Sequence, residues 1–560
     1  VKQIASIALP AFCLFLLFGG PWDSTYLYQG ILSEWDGTYI FIQMAGALWN
    51  KTAGSALPYL SAERITLLQV SQSLWLVWGF SLIGLAVWRH EKVSSNATGV
   101  YLGKTTQGKP FHLSEQNLSY HVEIVAPSGS GKTNLLQNII QQRIQSGHGL
   151  IFIDLKAELS LVSWVYSMTC AANRKDSFRL VSLADPHLSV PYNPIQSGTA
   201  QEIHSQLMNS LTWSEDFYRK IASLALQTIV YALCTYRDAT QQRFHVGHVL
   251  QLLEDRTAME VLLSRLTDLK LTDAASRLER LAQLSKKSGE RDKLVGLIAG
   301  LSAIVHCSAG SLLTDGNNEN SYELKDAINN ARISYFSINS LKLRESAAVF
   351  AKLLLQDLMK FVGETYATSE PRTPTTVIID EFASFAMPEF IELMDRARGA
   401  GIGIVLSHQS RADLRAVSPE FQERIEANAN TTIVSGVKSS EDADHYAGII
   451  GTRTVEKETI RKDRFFFWKH DTGQRSTRDA EEYILHPNRV KSLQQGEVLV
   501  INRTIGSQWG LVKVPLRQNP AEILTPPTPP PSPCSTPLMD LSGSKQAAAP
   551  DQQSWVDILN

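Results

Sequence analysis

Apolar and polar positions along the chain follow four successive rhythms. The first is nearly uninterrupted apolarity. Ile65 to Trp88 carries no charge, and at about 1.5 Å per residue it is long enough to cross a hydrocarbon core of about 30 Å. Gln3 to Gly20 is shorter and contains Pro10; it reads either as a first transmembrane helix or as a signal-peptide core, and Gly19-Gly20-Pro21-Trp22 lacks a small-residue cleavage pattern. The second rhythm alternates short apolar runs with helical periodicity. His121–Val125, Gly149–Asp154, Arg332–Ile338, Thr376–Asp380, Gly401–Ser407 and Thr431–Ser435 read as buried strands, so a mostly parallel sheet with helices on both faces is predicted. The third rhythm, from 200 to 310, is helical only, with runs at Tyr218–Tyr236, Ala258–Leu284 and Asp292–Cys307. The fourth begins after Gln518, where TPPTPPPSP cannot build a core and predicts an extended tail.

These rhythms divide the chain into a membrane anchor (1–92, helices at 3–20 and 65–88), the first part of an α/β domain (93–199), an all-α insertion (200–310), the second part of the α/β domain (311–516) and a Pro-rich disordered tail (517–560). Arg89, Lys92 and Lys104 follow the second span, while Asp23, Glu34, Asp36 and Glu63 precede it. The positive-inside rule therefore places everything after Trp88 in the cytoplasm. Numbering that opens at Val1 rather than Met suggests a trimmed start.

Composition narrows the function. Lys and Arg number 53 against 55 Asp and Glu, with 44% hydrophobic and 19% charged residues, which excludes a disordered chain and a uniformly basic nucleic-acid coat. Any DNA contact then needs a local patch or a ring of subunits. Cys13, Cys170, Cys234, Cys307 and Cys534 are widely separated, arguing against a disulfide framework and a structural zinc site.

The strongest chemical signal is Ala126-Pro127-Ser128-Gly129-Ser130-Gly131-Lys132-Thr133, between a predicted strand and a predicted helix. Backbone N–H groups of Gly129, Ser130, Gly131 and Lys132 at a helix start form a nest for phosphate, Lys132 neutralises the β/γ bridge and Thr133 is placed to ligate Mg²⁺. Ala126 stands where the strict pattern has glycine, so the match is to the relaxed form. The second signal is Val377-Ile378-Ile379-Asp380-Glu381. Asp380 is placed to hold the Mg²⁺ shell and Glu381 to polarise an attacking water; the alternative is a helix cap with a first-turn acid.

Taken in order, the phosphate loop, Asp154-Leu155-Lys156-Ala157-Glu158, Tyr192-Asn193-Pro194-Ile195, the acidic pair, and Arg396-Ala397-Arg398-Gly399-Ala400-Gly401 leading to Ser407-His408-Gln409-Ser410 resemble the type IV coupling proteins of conjugation and type IV secretion. Thr477–Val500 is similar to the TraD and TrwB branch. The resemblance covers about 100 to 515 and implies an α/β, RecA-like P-loop ATPase core with an all-α insertion and a two-helix anchor in the bacterial inner membrane. It further implies a homo-hexamer using ATP and Mg²⁺, with relaxase-bound DNA, relaxosome proteins and secretion-channel components as partners. By the same resemblance Gln409 is a γ-phosphate sensor and Arg398 an arginine finger for the neighbouring subunit; the plain alternative for Arg398 is an arginine serving a helix C-terminus. Asp395 departs from the family, which often has glycine there. Asp154 and Lys156 either line the site or serve a turn.

Arg453 to Arg478 is rich in positive charge around Phe465-Phe466-Phe467-Trp468. It reads either as a strand-tracking DNA element or as a β-hairpin turning at Asp471-Thr472-Gly473 with its charges solvated. The rival DNA surface is the all-α insertion, with Lys270, Arg277, Arg280, Lys286, Lys287, Arg291 and Lys293. The leading function is a DNA-translocating coupling ATPase. The alternatives are a receptor ATPase for protein effectors without DNA pumping, and a non-enzymatic membrane adaptor, against which Lys132, Thr133, Asp380 and Glu381 count. The tail, with Trp555 near its end, is expected to recruit a cargo-bound accessory protein.

Overall fold

The computed structural model describes residues 99–213, 215–284, 292–314, 321–366, 373–465, 468–503, 508–517, 519–529 and 539–541. The strands are β1 Gly99–Thr105, β2 Pro110–Ser114, β3 Val122–Val125, β4 Gly149–Asp154, β5 Phe178–Ser182, β6 Ile333–Ser337, β7 Thr375–Ile379, β8 Ile402–His408, β9 Thr431–Val434, β10 Thr452–Phe465, β11 Trp468–Tyr483, β12 Glu497–Asn502 and β13 Gln508–Lys513. The main helices are α1 Lys132–Gln145, α2 Leu159–Ala171, α3 Ala200–Ser210, α4 Asp216–Thr240, α5 Val246–Glu254, α6 Arg256–Asp268, α7 Thr272–Leu284, α8 Val295–Val305, α9 Glu345–Thr365, α10 Phe390–Ala397, α11 Pro419–Asn428 and α12 Ser440–Ile450.

An 11-stranded sheet runs β2-β1-β13-β12-β9-β3-β8-β7-β4-β6-β5. From β9 to β5 the strands are parallel; β12, β13, β1 and β2 extend the sheet in antiparallel fashion. Strands β3, β4, β6, β7, β8 and β9 are buried at every position, as expected where helices cover both faces. Side chains alternate between the faces. Ile151, Ile153, Val377 and Ile379 join the larger core, which continues into the helices between β5 and β6, while Leu150, Phe152 and Ile378 join the core beneath α1 and α2.

Several expectations need correction. The run Ala258–Leu284 is two helices, α6 and α7, because the chain turns at Lys270, whose φ is 60°. The β10–β11 hairpin does not turn at Asp471-Thr472-Gly473: Lys462 pairs with Asp471 and Phe465 with Trp468, so the reversal lies further out. The register slips between Ile460 and Lys462, and the Asp-Thr-Gly segment, for all its turn-like composition, is taken up opposite that slip. The hairpin is a sheet of its own. The tail is not wholly without packing, since Met539 and Leu541 are buried among the helices; proline content upstream concealed a short apolar cluster downstream. The predicted spans at 3–20 and 65–88 lie outside the described residues, and among those residues no helix is long and apolar enough to cross a membrane.

Candidate functional site

The phosphate loop leaves β3 and enters α1 at Lys132. Ala126 is fully buried, donates its N–H to the His408 carbonyl (3.0 Å) and avoids the left-handed region, so an L-residue fits there. Gly129 and Gly131 adopt φ of 81° and 101°, where glycine is needed. The Ser130 carbonyl accepts from Ser435 Oγ (3.1 Å) and from Gly496 N (3.3 Å), pinning the loop to the residues just after β9 and to the start of β12. A Cβ on Gly131 would meet Gly496 N at 3.4 Å, so the approach is close.

Behind the loop the carboxylates and lysines converge. Lys132 is 7% exposed, with Nζ 2.8 Å from Asp380 Oδ1 and 2.7 Å from Glu381 Oε1. Lys156 reaches in from the end of β4 to Glu381 Oε1 (3.1 Å) and Asp380 Oδ2 (3.7 Å). Ser407 Oγ donates to Asp380 Oδ1 (2.6 Å), and Gln409 Nε2 donates to Glu381 Oε2 (3.3 Å). Glu381 sits at φ 56°, a left-handed conformation that costs a non-glycine residue about 1–3 kcal/mol and is concentrated at functional positions. Burial pushes its carboxyl up, but hydrogen bonds and charge from Lys132 and Lys156 prevail and hold it below the ordinary range. For Lys156 burial works downward, and Asp380 and Glu381 outweigh it to raise the ammonium.

Asp154 serves the turn. It accepts from Lys156 N (2.9 Å), Glu158 N (3.2 Å) and Tyr335 OH (2.8 Å), and burial raises its carboxyl in spite of those bonds. Its bonds aim Lys156 at the acidic pair. Thr133, Asp154, Lys156, Glu158 and Asp380 line one small cleft. The donors fit a magnesium polyphosphate: a hydroxyl and a carboxylate for the ion, two lysines for the phosphates, and a buried Ser130 Oγ without a partner among the described residues.

Arg398 is not part of this cluster. It comes directly after α10 and precedes β8, whereas the phosphate loop lies beyond the opposite end of that strand's neighbour, Val125 pairing with His408. β8 has 7 residues, so its ends are about 20 Å apart. Arg398 is the C-cap residue of α10, the helix-end position of the plain alternative, and lays its guanidinium 3.7 Å over the Tyr120 ring. One pair gave no warning in the sequence. His408 Nε2 lies 2.9 Å from Glu123 Oε1 and its Nδ1 donates to the Ser410 carbonyl (2.9 Å), both side chains at 0–1% exposure. Burial opposes the imidazolium, but Glu123 outweighs it and raises the His408 pKa. A single acid inside the apolar run HVEIV carries no local sign of its partner.

Residues 374–495 match a family model described as the TraM recognition site of TraD and TraG; this segment contains β7, Arg398, Gln409 and the hairpin. The type 4 coupling protein DotL of Legionella pneumophila is 22% identical over 404 residues, an alignment taking in 62% of this chain and 51% of the relative, so the chain spans about half of that protein's length. Among solved structures, the conjugative coupling protein TrwBΔN70 in its unbound monoclinic form aligns with a TM-score of 0.54 at 13% identity, covering 77% of this chain and 92% of that one. TrwB in complex with ADP and Mg²⁺ aligns at a TM-score of 0.53 and 13% identity, covering 77% and 93%. At such identity these likenesses establish the fold, a RecA-type α/β core with a mostly parallel sheet.

Proposed function

Since the chain belongs to the type IV coupling protein family, we propose that it is an ATPase, anchored in the bacterial inner membrane and assembled as a hexamer, that passes relaxase-bound DNA to a type IV secretion channel. The observation that supports the enzymatic part is the convergence of Lys132, Asp380, Glu381 and Gln409 from three different strand ends. In hydrolysis, water attacks the γ-phosphorus, the bond to the β-bridging oxygen breaks, and ADP and phosphate leave. Lys132 exchanges its carboxylate partners for the β/γ oxygens. That exchange removes the cation that most depresses Glu381, so its Oε becomes the better proton acceptor just when substrate is in place. Gln409 holds the other carboxylate oxygen and so fixes the direction in which Glu381 faces. Mg²⁺, held by Thr133 and through Asp380, supplies charge neutralisation at the phosphate oxygens.

The test is ATP turnover of the purified chain with and without DNA. Lys132→Ala is expected to abolish turnover with the fold intact, and Glu381→Gln to leave ATP bound while slowing turnover at least a hundredfold. Undiminished rates in either variant would remove the assignment. Stimulation by single-stranded DNA supports the DNA cargo; turnover indifferent to DNA favours the receptor for protein effectors.

A further inference from the structure

Met539, Asp540 and Leu541 lie among helices that precede them by almost three hundred positions. Met539 and Leu541 are 2% and 3% exposed and belong to the apolar cluster that contains Phe244, Val249 and Leu252. The backbone of Met539 is bracketed from both sides. Its N–H donates to the Arg243 carbonyl (3.1 Å), and its carbonyl accepts from His248 Nε2 (2.7 Å).

The bracket is prepared by the turn between α4 and α5. His248 Nδ1 accepts the His245 N–H (3.1 Å), which closes the first turn of α5. With Nδ1 committed as an acceptor, the neutral ring carries its hydrogen on Nε2, the atom facing Met539. The His245 ring lies 3.8 Å from the His248 ring, centroid to centroid, and holds it in place. The turn thus offers one acceptor and one donor spaced to grip a single residue of an extended strand, with apolar surface for side chains two apart on one face. Met539 and Leu541 have that spacing.

The other end of the tail is also tied. Arg517 N donates to Asn134 Oδ1 (2.8 Å), Asn134 Nδ2 donates to the Pro515 carbonyl (2.9 Å), and Leu524 N donates to Ser167 Oγ (2.7 Å). The chain leaving β13 is therefore bonded first to the opening turn of α1 and then to α2.

We infer that the Arg243–His248 turn is a peptide-binding groove of the helical region, and that its occupant is this chain's own Met539-Asp540-Leu541. The tail is then a strap pinned at two places, and reaching a partner falls to the residues after Leu541. Intramolecular supply keeps the groove filled, because a tethered segment is presented at roughly millimolar effective concentration.

Hydrogen exchange on the full chain tests this. In a Met539→Asp/Leu541→Asp variant, amides from Arg243 to Glu254 should exchange at least tenfold faster while those of β7 and α9 stay as in the wild type. Adding a millimolar synthetic peptide of residues 535–545 should restore protection in that variant, and should do so at least fivefold less effectively when His248→Ala is added. Unchanged exchange at 243–254, or failure of the peptide to restore it, overturns the groove. If the double variant exchanges faster everywhere, the milder Leu541→Ala decides: a rise confined to 243–254 supports the groove, and none there overturns it.

Discussion

At the scale of single residues, the site is a balance of two cations against two carboxylates. Lys132 and Lys156 share Glu381 Oε1, so each lowers the pKa of a group proposed to accept a proton. Lys156→Ala should therefore let the Glu381 pKa rise, moving the acidic limb of the kcat/KM profile to higher pH while ATP affinity falls; a profile that stays put would detach Lys156 from Glu381. The buried His408–Glu123 pair makes a separate prediction. An unfolded histidine titrates near pH 6.5, and the folded value is raised, so the folded state holds the extra proton between the two. The pair's stabilisation is fully present below about pH 6.5 and is lost as pH rises through the raised value. Tm should fall across that window in the wild type and less steeply in Glu123→Gln, and Glu123→Ala should cost roughly 3–5 kcal/mol by leaving His408 unpaired. The phosphate loop and acidic pair were legible because their chemistry dictates local sequence. Lys156 was legible only as a neighbour of the site, since its aim depends on Asp154 and Tyr335, the latter 181 positions away from Asp154.

At the scale of elements, legibility followed burial. Strands covered on both faces announce themselves as short apolar runs, and β3, β4, β6, β7, β8 and β9 were all anticipated to within two residues. The strands β1, β2, β5, β12 and β13 were not: β1, for example, alternates buried and half-exposed positions and carries Gly103 where a Cβ would meet the Lys513 carbonyl at 2.1 Å. Their sequence bears the pressure of close strand approach, which looks like an ordinary loop when read linearly. The β10–β11 hairpin is independent of the main sheet. Because Lys457 and Arg478 pair across it, removing 458–477 and joining them through Asn-Gly should shift Tm by no more than about 2 °C. DNA affinity that drops in this shortened chain locates the strand-tracking element there; unchanged affinity moves it to the helical region. A large loss of Tm would show that the hairpin supports the core.

At the scale of the whole molecule, the proposed ring rests on the position of Arg398, a strand's length from its own phosphate loop. Arg398→Ala is expected to cut turnover by roughly 10³-fold or more without weakening nucleotide binding. Equal mixing with Glu381→Gln subunits should bring back about a quarter of wild-type turnover, from interfaces where an intact acid meets an intact arginine. No recovery on mixing would make the arginine's role internal to one subunit. The sequence showed the order of the parts but not the strap, because the contacts of Met539 and Leu541 join segments that share no local pattern.

The strand β8 carries Ser407 against the acidic pair at one end, with Gln409 directly after it, and is preceded by Arg398 at the other. A fully buried strand, bonded to β3 and β7 on its two sides, does not stretch. In the proposed ring it would act as a push-rod: an event at the γ-phosphate of one site would also shift Arg398, the arginine proposed to serve the next. The firing order of such a motor would be written in the stiffness of seven residues, and softening that strand should scramble the sequence of events around the ring before it slows any single site.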